Sequence, residues 1–175
     1  MNAQREVIYK RRYNALNGER LQLDIANMLY DTCDQICAVN LANKDYKKFE
    51  FELIRLFSLT SPISAEDFES QNVTALTEKI YQAALAHYKQ KMEENAARVY
   101  PVVKDVYQNP KNTFKRIVVP FTDGIKTLNV VSDLEKSFES EGKNLIRDFE
   151  KNISLAIIDE SVSYTHLRAH ETSEY

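Results

Sequence analysis

Apolar residues recur along most of this chain at steps of three and four, the spacing of one face of a helix. Leu21, Ile25, Met28, Leu29, Thr32, Ile36 and Val39 share such a face. The pattern predicts one long helix, or two nearly continuous ones, over 3–41. Gly18 weakens that helix by about 1 kcal/mol relative to alanine but need not break it. Unbroken, it would extend roughly 57 Å at 1.5 Å per residue. The rest of the chain is too short to cover a helix of that length, so it reads as a strut for other domains to pack against.

Lys44 to Leu59 predicts a second helix, with Phe49, Leu53, Leu56 and Phe57 on one side and Thr60-Ser61-Pro62 as its stop. Ser64 reads as the N-cap of a short helix, with Asp67 at its third position. Thr74 reads as the cap of a longer one carrying Leu76, Ile80, Ala84, Tyr88, Met92, Ala96 and Val99. Pro101 is expected to kink or interrupt this helix, and Asn109-Pro110 to end it.

One stretch is strand-like. Ile117-Val118-Val119 and Ile125 to Val131 are rich in β-branched residues, and Thr122-Asp123-Gly124 is a turn signal, so a hairpin is predicted over about 115–131. Pro120 makes its first strand an edge. Ser132-x-x-Glu135 reads as a capping box opening a long helix. Leu134, Phe138, Gly142, Leu145, Phe149, Ile153, Ala156 and Ile157 form its stripe. Gly142 lies on that stripe, which implies close approach of a partner backbone. The fold class is therefore mainly α, with one small β-hairpin.

Composition sharpens this. The chain has 175 residues, only 3 glycines and 4 prolines, and 43% hydrophobic residues, which suits a helical protein with a core. A formal net charge of −3 argues against a general nucleic-acid binder. No apolar run approaches the roughly 20 residues that cross a bilayer. The basic start is not followed by an apolar signal core. The expected location is cytoplasmic.

Candidate chemistry is sparse. Gly18, Gly124 and Gly142 start no glycine-rich phosphate loop, and no G-x-x-x-x-G-K-[ST] or G-x-S-x-G occurs. Cys33 and Cys37 stand one helical turn apart, as half of a metal site, a redox pair, or two small apolar residues in a packing seam; the last is preferred because a structural zinc needs four ligands. His166 and His170, with Glu171, have chelating spacing but not the H-E-x-x-H order. Arg5, Lys10, Arg11, Arg12 and Arg20 make a basic segment, read as a solvated face or as ion-pair partners for another domain. On the last helix Glu139 to Lys143 and Asp148 to Lys151 suit surface pairs. No catalytic, cofactor-binding or metal residue is assigned.

Two patterns near the ends stand out: Gln4-Arg5-x-x-Ile8-Tyr9-x-x-Arg12, and Phe149-Glu150-Lys151-x-x-x-Leu155-x-x-Ile158-Asp159. Both are in helical phase. In order and separation they resemble the scaffold helices of the SecA preprotein translocase motor family. The resemblance covers about residues 1–160, strongly at the ends and loosely between. It implies a first scaffold segment over 1–43, a helical wing domain over 44–131 and a returning scaffold helix over 132–160. It implies that the eleven named residues include contacts between domains, Arg5 and Arg12 especially, to motor domains. It also implies a parent that uses ATP and Mg in those domains, works with the SecY channel and a preprotein, is compatible with a homodimer, and sits peripherally at the inner face of the plasma membrane. The segment itself would couple motion without catalysing anything.

Two departures qualify this. The family continues after the aspartate with W-K-E-H-L, whereas here Ser161-Val162-Ser163-Tyr164 follows and the chain has no tryptophan. Residues 161–175 are expected to be a non-family tail resembling a translated adapter remnant. Both nucleotide-binding domains, the preprotein cross-linking domain and the C-terminal zinc motif are lacking, so Met1 is expected to be an internal or arbitrary start. The competing readings are a stand-alone helical adaptor, and a helical enzyme or metal protein using Cys33, Cys37 or the tail histidines.

Overall fold

A computed structural model describes the backbone of residues 2–17 and 20–171, and the side chains of residues 6–13, 16 and 20–161. Gly18 lies outside the described residues, as do the side chains of Gln4, Arg5, His166, His170 and Glu171. The described chain is mainly helical. Its elements are α1 (Asn2–Asn17), α2 (Leu21–Asn43), α3 (Tyr46–Phe57), α4 (Ala65–Ser70), α5 (Val73–Gln108), β1 (Arg116–Thr122), β2 (Thr127–Asp133), α6 (Leu134–Glu139) and α7 (Lys143–Glu171). The two strands form one antiparallel hairpin, with Val118 opposite Val131 and Pro120 opposite Asn129.

The predicted strut is two helices rather than one. Arg20 sits at φ 77°, in the left-handed region, and a helix cannot continue through that conformation. The helices divide between two compact units, one of Met1–Leu21 with Met92–Tyr175 and the other of Gln22–Lys91.

In the 22–91 unit, Cys33, Ile36, Cys37, Phe49, Leu53, Ile63, Phe68, Leu76, Ile80 and Ala84 form the core. The buried face of α2 is thus centred on its cysteines. Met28 and Val39, expected on that face, are 40% and 43% exposed. Leu21 and Ile36 of the expected stripe are buried and Leu29 packs on the core, but the face turns toward Cys33, Cys37 and Asn40, which the stripe did not include. Asn40 is buried with its amide nitrogen satisfied, Nδ2 donating to Ile36 O at 2.8 Å and to Glu52 Oε2 at 2.7 Å, while Oδ1 is buried without a hydrogen-bond partner. Asp45 caps α3 by accepting from Lys48 N, and Ser64 caps α4 by accepting from Asp67 N, as expected for the latter. The cap of α5 is Asn72 rather than Thr74: its Oδ1 accepts from Ala75 N at 2.8 Å.

In the other unit, Val103, Leu134 and Leu145 are the buried centre, flanked by Val99, Val106, Ile117, Val119, Phe138 and Phe149. Pro101 does not interrupt α5, which runs on to Gln108. Residues on both sides of the proline are held by the same neighbours: Tyr100 and Tyr107 stack on Phe138, with ring centroids 6.1 and 4.3 Å away. Packing there outweighs the one backbone bond the proline removes. The helix does end before Asn109-Pro110.

The expected helix over 132–160 is also divided. Ser132 lies within β2 instead of capping, and Asp133 is the cap of α6, accepting from Lys136 N at 2.9 Å. Glu141 and Gly142, at φ 53° and 85°, turn the chain between α6 and α7. Glu139 and Lys143 consequently lie on different helices, and Ile157 is 59% exposed, outside the stripe. The anticipated close approach at Gly142 is real: an added Cβ would lie 2.6 Å from the Ala96 carbonyl oxygen of α5.

Candidate interdomain site: the α1–α7 junction

The two end motifs fold into two elements that pack together, both in the unit of Met1–Leu21 and Met92–Tyr175. Gln4, Arg5, Ile8, Tyr9 and Arg12 belong to α1; Phe149, Glu150, Lys151, Leu155, Ile158 and Asp159 belong to α7. Ile8, Phe149, Glu150, Lys151, Leu155 and Ile158 are half-buried, whereas Tyr9, Arg12 and Asp159 are exposed. The side chain of Phe149 reaches the hairpin, meeting Phe121 edge-on at 5.9 Å.

Among the described residues, Arg12 and Asp159 of the two motifs touch directly. Arg12 Nε lies 2.8 Å from Asp159 Oδ1, and Nη2 donates to Oδ2 at 3.5 Å. Two guanidinium nitrogens thus address two carboxylate oxygens, the arrangement that gives an ion pair direction as well as attraction. The neighbouring acid, Glu160, accepts from Lys126 Nζ at 2.8 Å. Lys126 stands in the hairpin turn, so consecutive acids of α7 hold α1 and the hairpin tip. Both pairs are exposed, and each is worth about 0–1 kcal/mol, weakened by salt. They set register more than they set stability. Lys126 and Glu160 had no signal in the sequence, because nothing in a lysine 34 residues from a glutamate marks them as partners.

The hairpin is tied to α7 at its other end by a buried polar network. Ser132 Oγ donates to Asp148 Oδ2 at 2.5 Å and lies 2.9 Å from Ser137 Oγ. Asn144 Nδ2 donates to Ser132 Oγ and to Asp148 Oδ2, at 3.1 and 3.2 Å. Asp148 is thus engaged by Ser132 and Asn144, and was expected at the surface beside Lys151. These bonds clamp the end of the hairpin to α7.

The turn itself is built by Asp123, whose Oδ1 accepts from Ile125 N at 2.9 Å and Lys126 N at 2.8 Å. Those backbone bonds, from Lys126 first and then Ile125, hold its carboxyl below the ordinary range. In the other unit, burial pushes the Cys33 thiol up to about 12, with the nearby Cys37 adding to it. Burial likewise raises Cys37 to about 11, opposed by a hydrogen bond from Thr77. Both thiols are free and fully buried, so they pack as small apolar groups. Among the described residues no group of three or more His, Cys, Asp and Glu could hold a metal ion, and no helix is long and apolar enough to cross a membrane.

Comparison with known proteins bears on this junction. The family model for the SecA wing and scaffold domain matches residues 1–171, a span that takes in most of the expected tail over 161–175. The protein translocase subunit SecA of Christiangramia forsetii is 58% identical over 168 residues, which is 96% of this chain and 15% of that protein. The SecA subunit of Flavobacterium psychrophilum is 55% identical over the same proportions. That of Parabacteroides distasonis is 39% identical over 168 residues. The chain spans about 15% of the length of these relatives. No solved structure matches it.

Proposed function

We propose a function from one premise: the chain belongs to the SecA wing and scaffold family. It acts as the scaffold-and-wing segment of an ATP-driven preprotein translocase, giving mechanical coupling and interaction surfaces while ATP and Mg are handled by motor domains elsewhere in the protein. Residues 1–43 and 132–160 serve as scaffold and 44–131 as wing. The partners are those motor domains, the SecY channel and the unfolded preprotein. The site of action is the cytoplasmic face of the membrane, held peripherally.

The observation that carries this reading is the Arg12–Asp159 pair. It brings the first scaffold motif onto the last one, as an element that relays motion between chain segments far apart in sequence requires. The exposed apolar residues Val7, Tyr9 and Leu16 along α1 support it, since a strut that meets other domains needs such a surface. The exposed cations Arg11 and Arg20 add groups for ion pairs with those domains.

The test is a chimera. The corresponding segment of the Christiangramia forsetii subunit is replaced by this chain, and ATP-dependent uptake of an unfolded preprotein into SecY-containing vesicles is measured. Uptake near that of the parent, lowered when either Arg12 or Asp159 is charge-reversed alone, supports the reading. A chimera that folds and hydrolyses ATP but moves no preprotein overturns it.

A further inference from the structure

Helix α3 has an unusual surface. Its exposed residues are Lys47, Lys48, Phe51, Ile54, Arg55 and Leu56, all cationic or apolar. Phe51 is 63% and Ile54 54% exposed. Its two acids are half-buried, and Glu52 is occupied by Asn40. At 100° per residue, Lys47, Lys48, Phe51, Ile54 and Arg55 fall within an arc of about 120°. The opposite face holds Phe49 and Leu53, fully buried. We propose that this outer face of α3 is a membrane-docking surface, with Phe51 and Ile54 entering the headgroup–acyl boundary of a bilayer and Lys47, Lys48 and Arg55 meeting anionic headgroups.

Charge and area favour a lipid surface over a protein. A cationic flank around apolar residues on one helix face is the pattern of interfacial helices. Long basic side chains can lay their stems along the apolar surface and keep their charges at headgroup level. The face is about 18 Å long and one helix wide. That is far short of the roughly 800 Å² each partner contributes to a stable protein interface. A bilayer demands no such complementary patch.

Exposed Asp45 is engaged as the cap of α3, accepting from Lys48 N at 3.0 Å, and the acids of α4 do not cancel the cations. Helix α4 exposes Glu66, Asp67 and Glu69, but its Phe68 packs on Phe49 at 4.8 Å, on the core side of α3. Phe51 points about 160° away from Phe49. A helix diameter of about 10 Å equals the screening length at roughly 0.1 M salt, so the local patch governs. Three further cations of the unit, Lys79, Lys89 and Lys91, are exposed on α5 and supply a matched control.

The chain contains no tryptophan, so Phe51→Trp makes a single reporter at the centre of the face. The full chain carrying this change is mixed with vesicles of equal parts phosphatidylcholine and phosphatidylglycerol, and with pure phosphatidylcholine. The expected result is a blue-shifted emission on the anionic vesicles only, reversed by salt. Lys47→Glu/Lys48→Glu/Arg55→Glu should weaken binding at least about tenfold, while Lys79→Glu/Lys89→Glu/Lys91→Glu, with the same net charge, keeps it. No shift on anionic vesicles, or equal loss in both triple variants, overturns the proposal. So does a full-length chimera, its other tryptophans replaced by phenylalanine, whose reporter is already blue-shifted without lipid, because the face is then covered by protein. These outcomes leave the translocase reading untouched, since the chimera's preprotein uptake measures that separately.

Discussion

Arg12 and Asp159, 147 residues apart in sequence, meet through a 2.8 Å contact that closes α1 onto α7. Because both side chains are about half exposed, the pair's direct contribution is about 0–1 kcal/mol. Its expected signature is therefore coupling rather than bulk stability. In a double-mutant cycle, Arg12→Ala and Asp159→Ala should each lower stability by at most about 1 kcal/mol, and together by less than their sum. The interaction energy should shrink with added salt. In a full-length relative carrying this segment, Arg5→Ala/Arg12→Ala should reduce preprotein movement per ATP hydrolysed. Unchanged coupling would show that these arginines have no relay role.

Gly142 gives a larger effect. Its φ of 85° is costly for any side chain, and a Cβ would stand 2.6 Å from the Ala96 carbonyl oxygen, a backbone atom that cannot swing aside. Strain of this kind is worth about 1–3 kcal/mol, with the overlap added to it. Gly142→Ala should therefore lower the thermal midpoint by several degrees at least, whereas Gly124→Ala, with nothing within 4 Å, should cost less. Calorimetry on the two variants checks the order, and equal losses would refute the close-approach argument.

The hairpin turn should respond to acid. The folded carboxyl of Asp123 titrates below its ordinary value because its oxygen accepts from the Lys126 and Ile125 amides. A depressed folded value means the stabilisation is present above the unfolded value, near 3.8, and is lost as pH falls through the lower folded one. Amide exchange at Ile125 and Lys126 should accelerate on acidification below about 3.8, after correction for intrinsic rates. Asp123→Ala should show the fast exchange at neutral pH and no further acid step.

These features were legible in the sequence to different degrees. The hairpin, the Ser64 cap, the stop before Asn109-Pro110 and the close approach at Gly142 follow from local chemistry, and local chemistry is what a sequence displays. The end motifs marked α1 and α7 as helices, but the Arg12–Asp159 contact between them was not expected, since Arg12 was given to motor domains. Other features depend on tertiary partners. The division at Ser140–Gly142 overrides an unbroken apolar stripe, and Asn72 and Asp133 displace Thr74 and Ser132 as caps. Ser132 looked like a cap because a serine three before a glutamate usually is one. Here the hydroxyl is drawn inward by Asp148 and Asn144, which come from a helix 12 to 16 residues further on.

The two cysteines allow a prediction that separates packing from redox or metal chemistry. Both are fully buried, and burial raises their thiols to about 12 and about 11. At pH 8 a thiol titrating near 11 is about one part in a thousand thiolate, and only the thiolate attacks a disulfide reagent. Cys33 and Cys37 should resist labelling in the native protein and react together once it unfolds, at a rate set by opening. Because the folded state holds these protons more tightly than the unfolded one, with its value near 9.0, stability should fall as pH rises from about 9 to about 12. Denaturant midpoints across that range check the sign. Cys33→Ala and Cys37→Ala should flatten the fall, each at the cost of a small cavity and about 1 kcal/mol. Rapid labelling of the native protein at pH 8 would instead assign the pair a chemical role.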